Sequence, residues 1–82
     1  MRFERGECVT VTYWNQTITA TVLLASSNGR SLMLGFDGAL WNAKGMYVGS
    51  MPVLQGDDGS FYDLMEPPSL VRLERTFRSP FK

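Results

Sequence analysis

The sequence predicts an all-β fold: an SH3-like small barrel, an antiparallel meander of five or six short strands. Three observations lead there. Apolar and polar residues alternate at period two through several β-branched runs. Turn signals rich in Gly, Asn and Asp recur roughly every ten residues. No window sustains helical spacing, and no repeat or low-complexity run interrupts the pattern.

The elements follow in order. After Gly6, residues 7–14 alternate Val9, Val11 and Tyr13 against Cys8, Thr10, Thr12 and Trp14, which is a half-buried strand. Asn15-Gln16 offers a two-residue turn. Residues 17–26 read as the longest strand, with Ile18, Ala20, Val22 and Leu24 on one face. The apolar run Val22–Ala25 predicts that its far end is covered on both sides. Ser26-Ser27-Asn28-Gly29 is a turn, because Asn and Gly tolerate the positive φ that hairpins need. Leu32, Leu34 and Phe36 form the inward face of a third strand, which Asp37-Gly38 breaks. Residues 38–45 are glycine-flanked, with Trp41 as their anchor. Residues 46–55 are extended, and Pro52, lacking a donor, places them at an edge or bulge. Asp57-Asp58-Gly59 turns the chain into a short strand at Phe61–Leu64, which Pro67-Pro68 ends. Leu70–Leu73 closes the sheet. The domain therefore spans 1–75 and the tail 76–82, with Val9, Val11, Val22, Leu24, Leu34 and Leu73 expected inside.

Composition narrows the function. Eighty-two residues make one domain with a small core, and eight basic residues balance eight acidic ones. That balance disfavours nucleic acid as a default ligand, since a phosphate backbone calls for uncompensated cations on one face. Charge is nevertheless segregated. Lys44 stands alone among Asp57, Asp58, Asp63 and Glu66, while Arg72, Arg75, Arg78 and Lys82 outweigh Glu74 at the C-terminal end. The single Cys8 allows no internal disulfide or thiolate cluster, the first residues lack a signal-peptide core, and no run is long enough to span a membrane. These features predict a cytoplasmic protein.

The pattern Gly6-Glu7-x-Val9-x-Val11, then Ala20-Thr21-Val22 and Leu34-Gly35-Phe36-Asp37-Gly38, resembles the start of a Tudor- or SH3-like barrel. The block Gly45–Leu54 followed by Asp57-Asp58-Gly59-Ser60-Phe61 is similar to uncharacterised small bacterial proteins, some carried on mobile gene cassettes. These resemblances imply the barrel and transfer no activity. A PilZ-type cyclic-dinucleotide domain does not fit: Ser26 and Gly29 match its signature, but Leu24 stands where an acid is needed, and Arg2 and Arg5 are too closely spaced.

Catalytic chemistry finds little to work with. The chain has no histidine, hence no Ser-His-Asp or Cys-His system and no His metal site. Lys44 lies in a predicted exposed loop, and Cys8 reads as a small packed residue. Asp57 and Asp58 read as turn residues, without the alternating ligands of a calcium loop. No catalytic residue, cofactor or metal site is expected, and the protein is read as no enzyme.

Two binding surfaces remain. In an up-and-down meander the tip between strands one and two shares an end with the exit of strand three. That brings Trp14, Asp37 and Trp41, with Tyr47, to one mouth of the barrel, where aromatics plus a carboxylate suit a cation. The opposing expectation is that Trp14 and Trp41 plug the barrel as core. A protein, peptide or small ligand would be received at that mouth, and a homo-oligomer remains open. The alternative is single-stranded nucleic acid, held by the basic tail with Phe77 and Phe81 interleaved among Arg72, Arg75, Arg78 and Lys82.

Overall fold

The structure, a computed structural model, describes residues 2–76. Six strands make up the domain: β1 Cys8–Tyr13, β2 Gln16–Ala25, β3 Ser31–Trp41, β4 Tyr47–Gln55, β5 Phe61–Asp63 and β6 Leu70–Arg75. Each pairs antiparallel with the next and β6 returns to β1, giving a closed barrel of the predicted all-β meander class. No helix among the described residues is long and apolar enough to cross a membrane.

Strand parity sets the core. Val9, Val11 and Tyr13 of β1 point inward and are fully buried, alternating with half-buried Cys8, Thr10 and Thr12. Ala20, Val22, Leu32, Leu34, Leu40, Met51, Val53, Phe61 and Val71 complete the interior, and half-buried Leu73 packs against them. Asn28 and Asp58 organise their turns as expected, Asn28 Oδ1 accepting from the Arg30 amide and Asp58 Oδ1 from the Ser60 amide. Gly29 and Gly59 supply the positive φ. Pro52 lies where β4 has β3 alone for a neighbour, because β5 pairs with Val53–Gln55 only. The Gln55 amide donates towards β3, to the Arg30 carbonyl, so by strand alternation the Pro52 nitrogen faces the open side and its missing donor breaks no ladder.

Four expectations need correction. Leu24 is 59% exposed, because the β2–β3 register shifts between Val22 and Leu24 and the extra residue flips the strand's parity. Leu23 is also exposed, so the far end of β2 is not covered twice. β3 is not broken at Asp37-Gly38. It bulges there, between Gly35 and Leu40, and runs on to Trp41 as the longest strand. The β1–β2 turn is Trp14-Asn15, one residue earlier than expected, with Tyr13 and Gln16 paired across it. Thr76 follows β6, its amide donating to the Cys8 carbonyl at 3.3 Å. The remainder of the expected tail, 77–82, lies outside the described residues.

This register predicts opposite outcomes for two leucines. Leu34→Ala, at a fully buried position, lowers stability by about 2–5 kcal/mol. Leu24→Ala changes it by no more than about 0.5 kcal/mol, as surface substitutions do. Urea melts of both variants check the bulge, and equal losses would contradict it.

Candidate functional site

One end of the barrel gathers the β1–β2 turn, the β3–β4 loop and the β5–β6 loop. Its foundation is Tyr13, the last residue of β1, whose inward parity carries its ring into the core. The Tyr13 hydroxyl donates to Asp63 Oδ2 at 2.5 Å and accepts from the Ala43 amide at 3.0 Å. Asp63, 2% exposed, uses its other oxygen to accept from the Ser69 amide at 2.8 Å and the Met65 amide at 3.2 Å. A buried carboxylate is tolerable on such terms, because each oxygen is hydrogen-bonded. Burial first, and the bond to the Asp63 carboxylate second, raise the Tyr13 pKa above the usual 10.0.

On that foundation the aromatic side chains stand outside the core. Trp14 is 64% exposed, Trp41 54%, Tyr47 63% and Met46 56%. The expected plug is therefore not made by the tryptophans: buried Tyr13 occupies that end of the interior. Trp41 and Tyr47 face each other across the β3–β4 ladder, their rings 4.8 Å apart between centroids. The Gln16 side chain fixes the Trp41 backbone at both groups, donating to its carbonyl and accepting from its amide, each at 2.8 Å. That amide takes the place of a ladder rung, since the β2–β3 pairing reaches no further towards this end than Ala20 and Phe36. Asn42 Oδ1 accepts from the Lys44 and Met46 amides, which folds the exposed loop tightly.

Trp14 and Trp41 line one hollow of about 300 Å³ with Gln16, Asn42, Ala43 and Gly45. Asp37 does not join them. It sits on the β3 bulge and lines neither this hollow nor the neighbouring one of about 440 Å³ formed by Thr12, Trp14, Ser69, Leu70 and Arg72. The expected cation cage thus lacks its carboxylate. Its electrostatic character is the reverse, since Arg72 is the charged group beside Trp14. Trp14 also holds φ at 56°, a left-handed conformation that costs a bulky residue on the order of 1 kcal/mol or more.

At the other end, the turns at 27–29 and 57–59 meet. Arg30 pairs with Asp57 at 3.5 Å and donates to the Gln55 carbonyl. Arg75 is engaged there too, with Glu7, with the Arg2 carbonyl and over the Phe3 ring.

Sequence reasoning missed Asp63, Gln16, Met46, Leu70 and the placing of Arg72. Asp63 had left a signal: it shares inward parity with Phe61, and an acid on a core face needs a buried donor. Gln16 left none, because its role depends on where β3 bulges. No protein family, curated protein or solved structure gives a significant match to the chain.

Four outcomes follow from this geometry. Tyr13→Phe leaves Asp63 and the Ala43 amide short of a partner, and lowers stability by about 1–3 kcal/mol. A raised folded pKa means that the unfolded chain gives up the Tyr13 proton first. Stability is therefore full below pH 10 and falls as pH rises from there through the raised value. Tyr62, held by Asp58, titrates in the same direction, so the Tyr13 share is the part of the alkaline loss that Tyr13→Phe removes. Denaturant melts from pH 8 to 11 on both proteins read it, in roughly the range where tyrosines ionise. Separately, Trp14→Asn leaves the melting temperature unchanged or higher, because Asn accepts the left-handed turn more readily and that gain offsets the lost edge contact with the Tyr13 ring. Acrylamide and iodide quench both tryptophans of the parent, and a protected tryptophan would contradict the exposures given above.

Proposed function

We propose that this protein is a non-enzymatic interaction module that receives a segment of a protein partner at the aromatic end of its barrel. The single observation that carries the reading is the cluster of Trp14, Trp41, Met46 and Tyr47, all more than half exposed, with the Trp41 backbone held at both groups by Gln16 and the Met46 amide held by Asn42. Large apolar side chains grouped on a small domain mark contact surfaces, where rigid aromatics supply area at little entropic cost. The strained φ of Trp14 supports the same reading: folding alone would favour another residue there. The single cysteine supports a cytoplasmic setting, where domains of this size fold without disulfide staples.

Single-stranded nucleic acid draws less support. Of the cations assigned to it, Arg75 is committed to Glu7 and Phe3, and Arg78 and Lys82 lie outside the described residues.

Site-specific photo-crosslinking in host extract tests the proposal. A photoreactive residue replacing exposed Lys44, beside the cluster, gives a discrete protein adduct, and one replacing Asn28, at the opposite end, does not. Trp14→Ala with Tyr47→Ala abolishes the adduct while the far-UV spectrum stays that of the parent. Adducts of equal yield from both ends, or one indifferent to the aromatic substitutions, would remove the proposal.

A further inference from the structure

Building on the aromatic end as the receiving surface, we infer that the partner segment is acidic: an extended peptide that rests an apolar side chain on Trp14 and presents a nearby carboxylate to Arg72. Trp14 is the wall shared by the two hollows, so a segment crossing this end passes from the Trp41 side to the Leu70 side over its indole. Among the described residues lining those hollows, Arg72 is the one charged side chain, and none is acidic. The chain's other well-placed arginines are committed, Arg30 to Asp57 and Arg75 to Glu7. Arg72 forms no ion pair among the described residues, and it is exposed on the outer face of β6.

The spacing suits an extended ligand. Arg72 stands opposite Thr12 in the β1–β6 register, and Trp14 is two positions further along β1's path. Two residues of extended chain cover roughly 7 Å and bring side chains back to the same face. A peptide with an apolar residue and an acid at i and i+2 therefore matches Trp14 and Arg72 together. A guanidinium beside apolar walls holds a carboxylate bidentately, with Leu70 and Trp14 shielding the pair from water. A basic peptide meets repulsion from Arg72 and no acid in either hollow. Nucleic acid fits less well, because one arginine neutralises one phosphate, and Glu74 follows on the same strand face.

A displayed library of random peptides, panned on the parent, on Arg72→Gln, on Arg72→Glu and on Trp14→Ala with Trp41→Ala, tests the inference. The parent enriches sequences with Asp or Glu two positions from an aromatic or aliphatic residue. Synthetic versions of these, read by fluorescence anisotropy, bind Arg72→Gln about tenfold more weakly. Arg72→Glu shifts the enriched set towards Lys and Arg. Enriched peptides lacking the acid, or carrying it but indifferent to Arg72→Gln, overturn the acidic partner and leave the aromatic end as the receiver. A single-stranded oligothymidylate that binds more tightly than the enriched peptides also overturns it. Enrichment that persists in the double tryptophan variant, or no enrichment on any protein, overturns both the acidic partner and the receiving surface.

Discussion

The end of the barrel is built around one buried acceptor. Asp63 takes hydrogen bonds from the Tyr13 hydroxyl, the Met65 amide and the Ser69 amide, and Tyr13 in turn accepts from Ala43. Three stretches that are distant in sequence are thereby fixed to one another: the end of β1, the β3–β4 loop, and β5 with the loop that follows it. A hydrophobic core specifies distances loosely, since apolar contact has no direction. Hydrogen bonds to a buried carboxylate are directional and costly to leave unmade, so they set the relative position of loops that the core does not reach.

Irregular pairing is the second determinant. The bulge in β2 turns Leu24 outward beside Leu23, and Leu23 lies over Gly35, where any β-carbon would come within 2.8 Å of its side chain. The larger bulge in β3 withdraws residues 36–39 from the β4 ladder and leaves the Gln16 side chain to join β2 to Trp41. A side-chain amide, which both donates and accepts, can stand in for a peptide group. Trp41 thus keeps a strand-like backbone where the strands have parted, and its indole stays opposite Tyr47.

Fold class was legible in the sequence because it depends on local periodicity. Val9, Val11, Val22 and Leu34 are where alternation puts them, and the Asn28-Gly29 and Asp58-Gly59 turns are made by short-range hydrogen bonds. Leu24 was misplaced because a bulge moves parity by one residue without changing composition. Likewise the meander argument brought Trp14 and Trp41 together correctly, since connectivity alone decides which turns share an end. It carried Asp37 along wrongly, since the bulge depends on long-range pairing between β3 and β4. Burial of Tyr13 in preference to its neighbour Trp14 follows from parity, but only once Asp63 is known to wait inside for its hydroxyl.

The left-handed backbone at Trp14 has an evolutionary consequence. Two-residue hairpins drift readily towards Gly, Asn and Asp, which relieve the conformation, here at the loss of one edge contact between the Trp14 and Tyr13 rings. Neutral change at this position is therefore biased against tryptophan, and selection for folding pulls the same way. A lineage that keeps an indole there gives up stability in every generation. The hairpin tip is thus a place where the history of related chains would separate selection for recognition from selection for the fold.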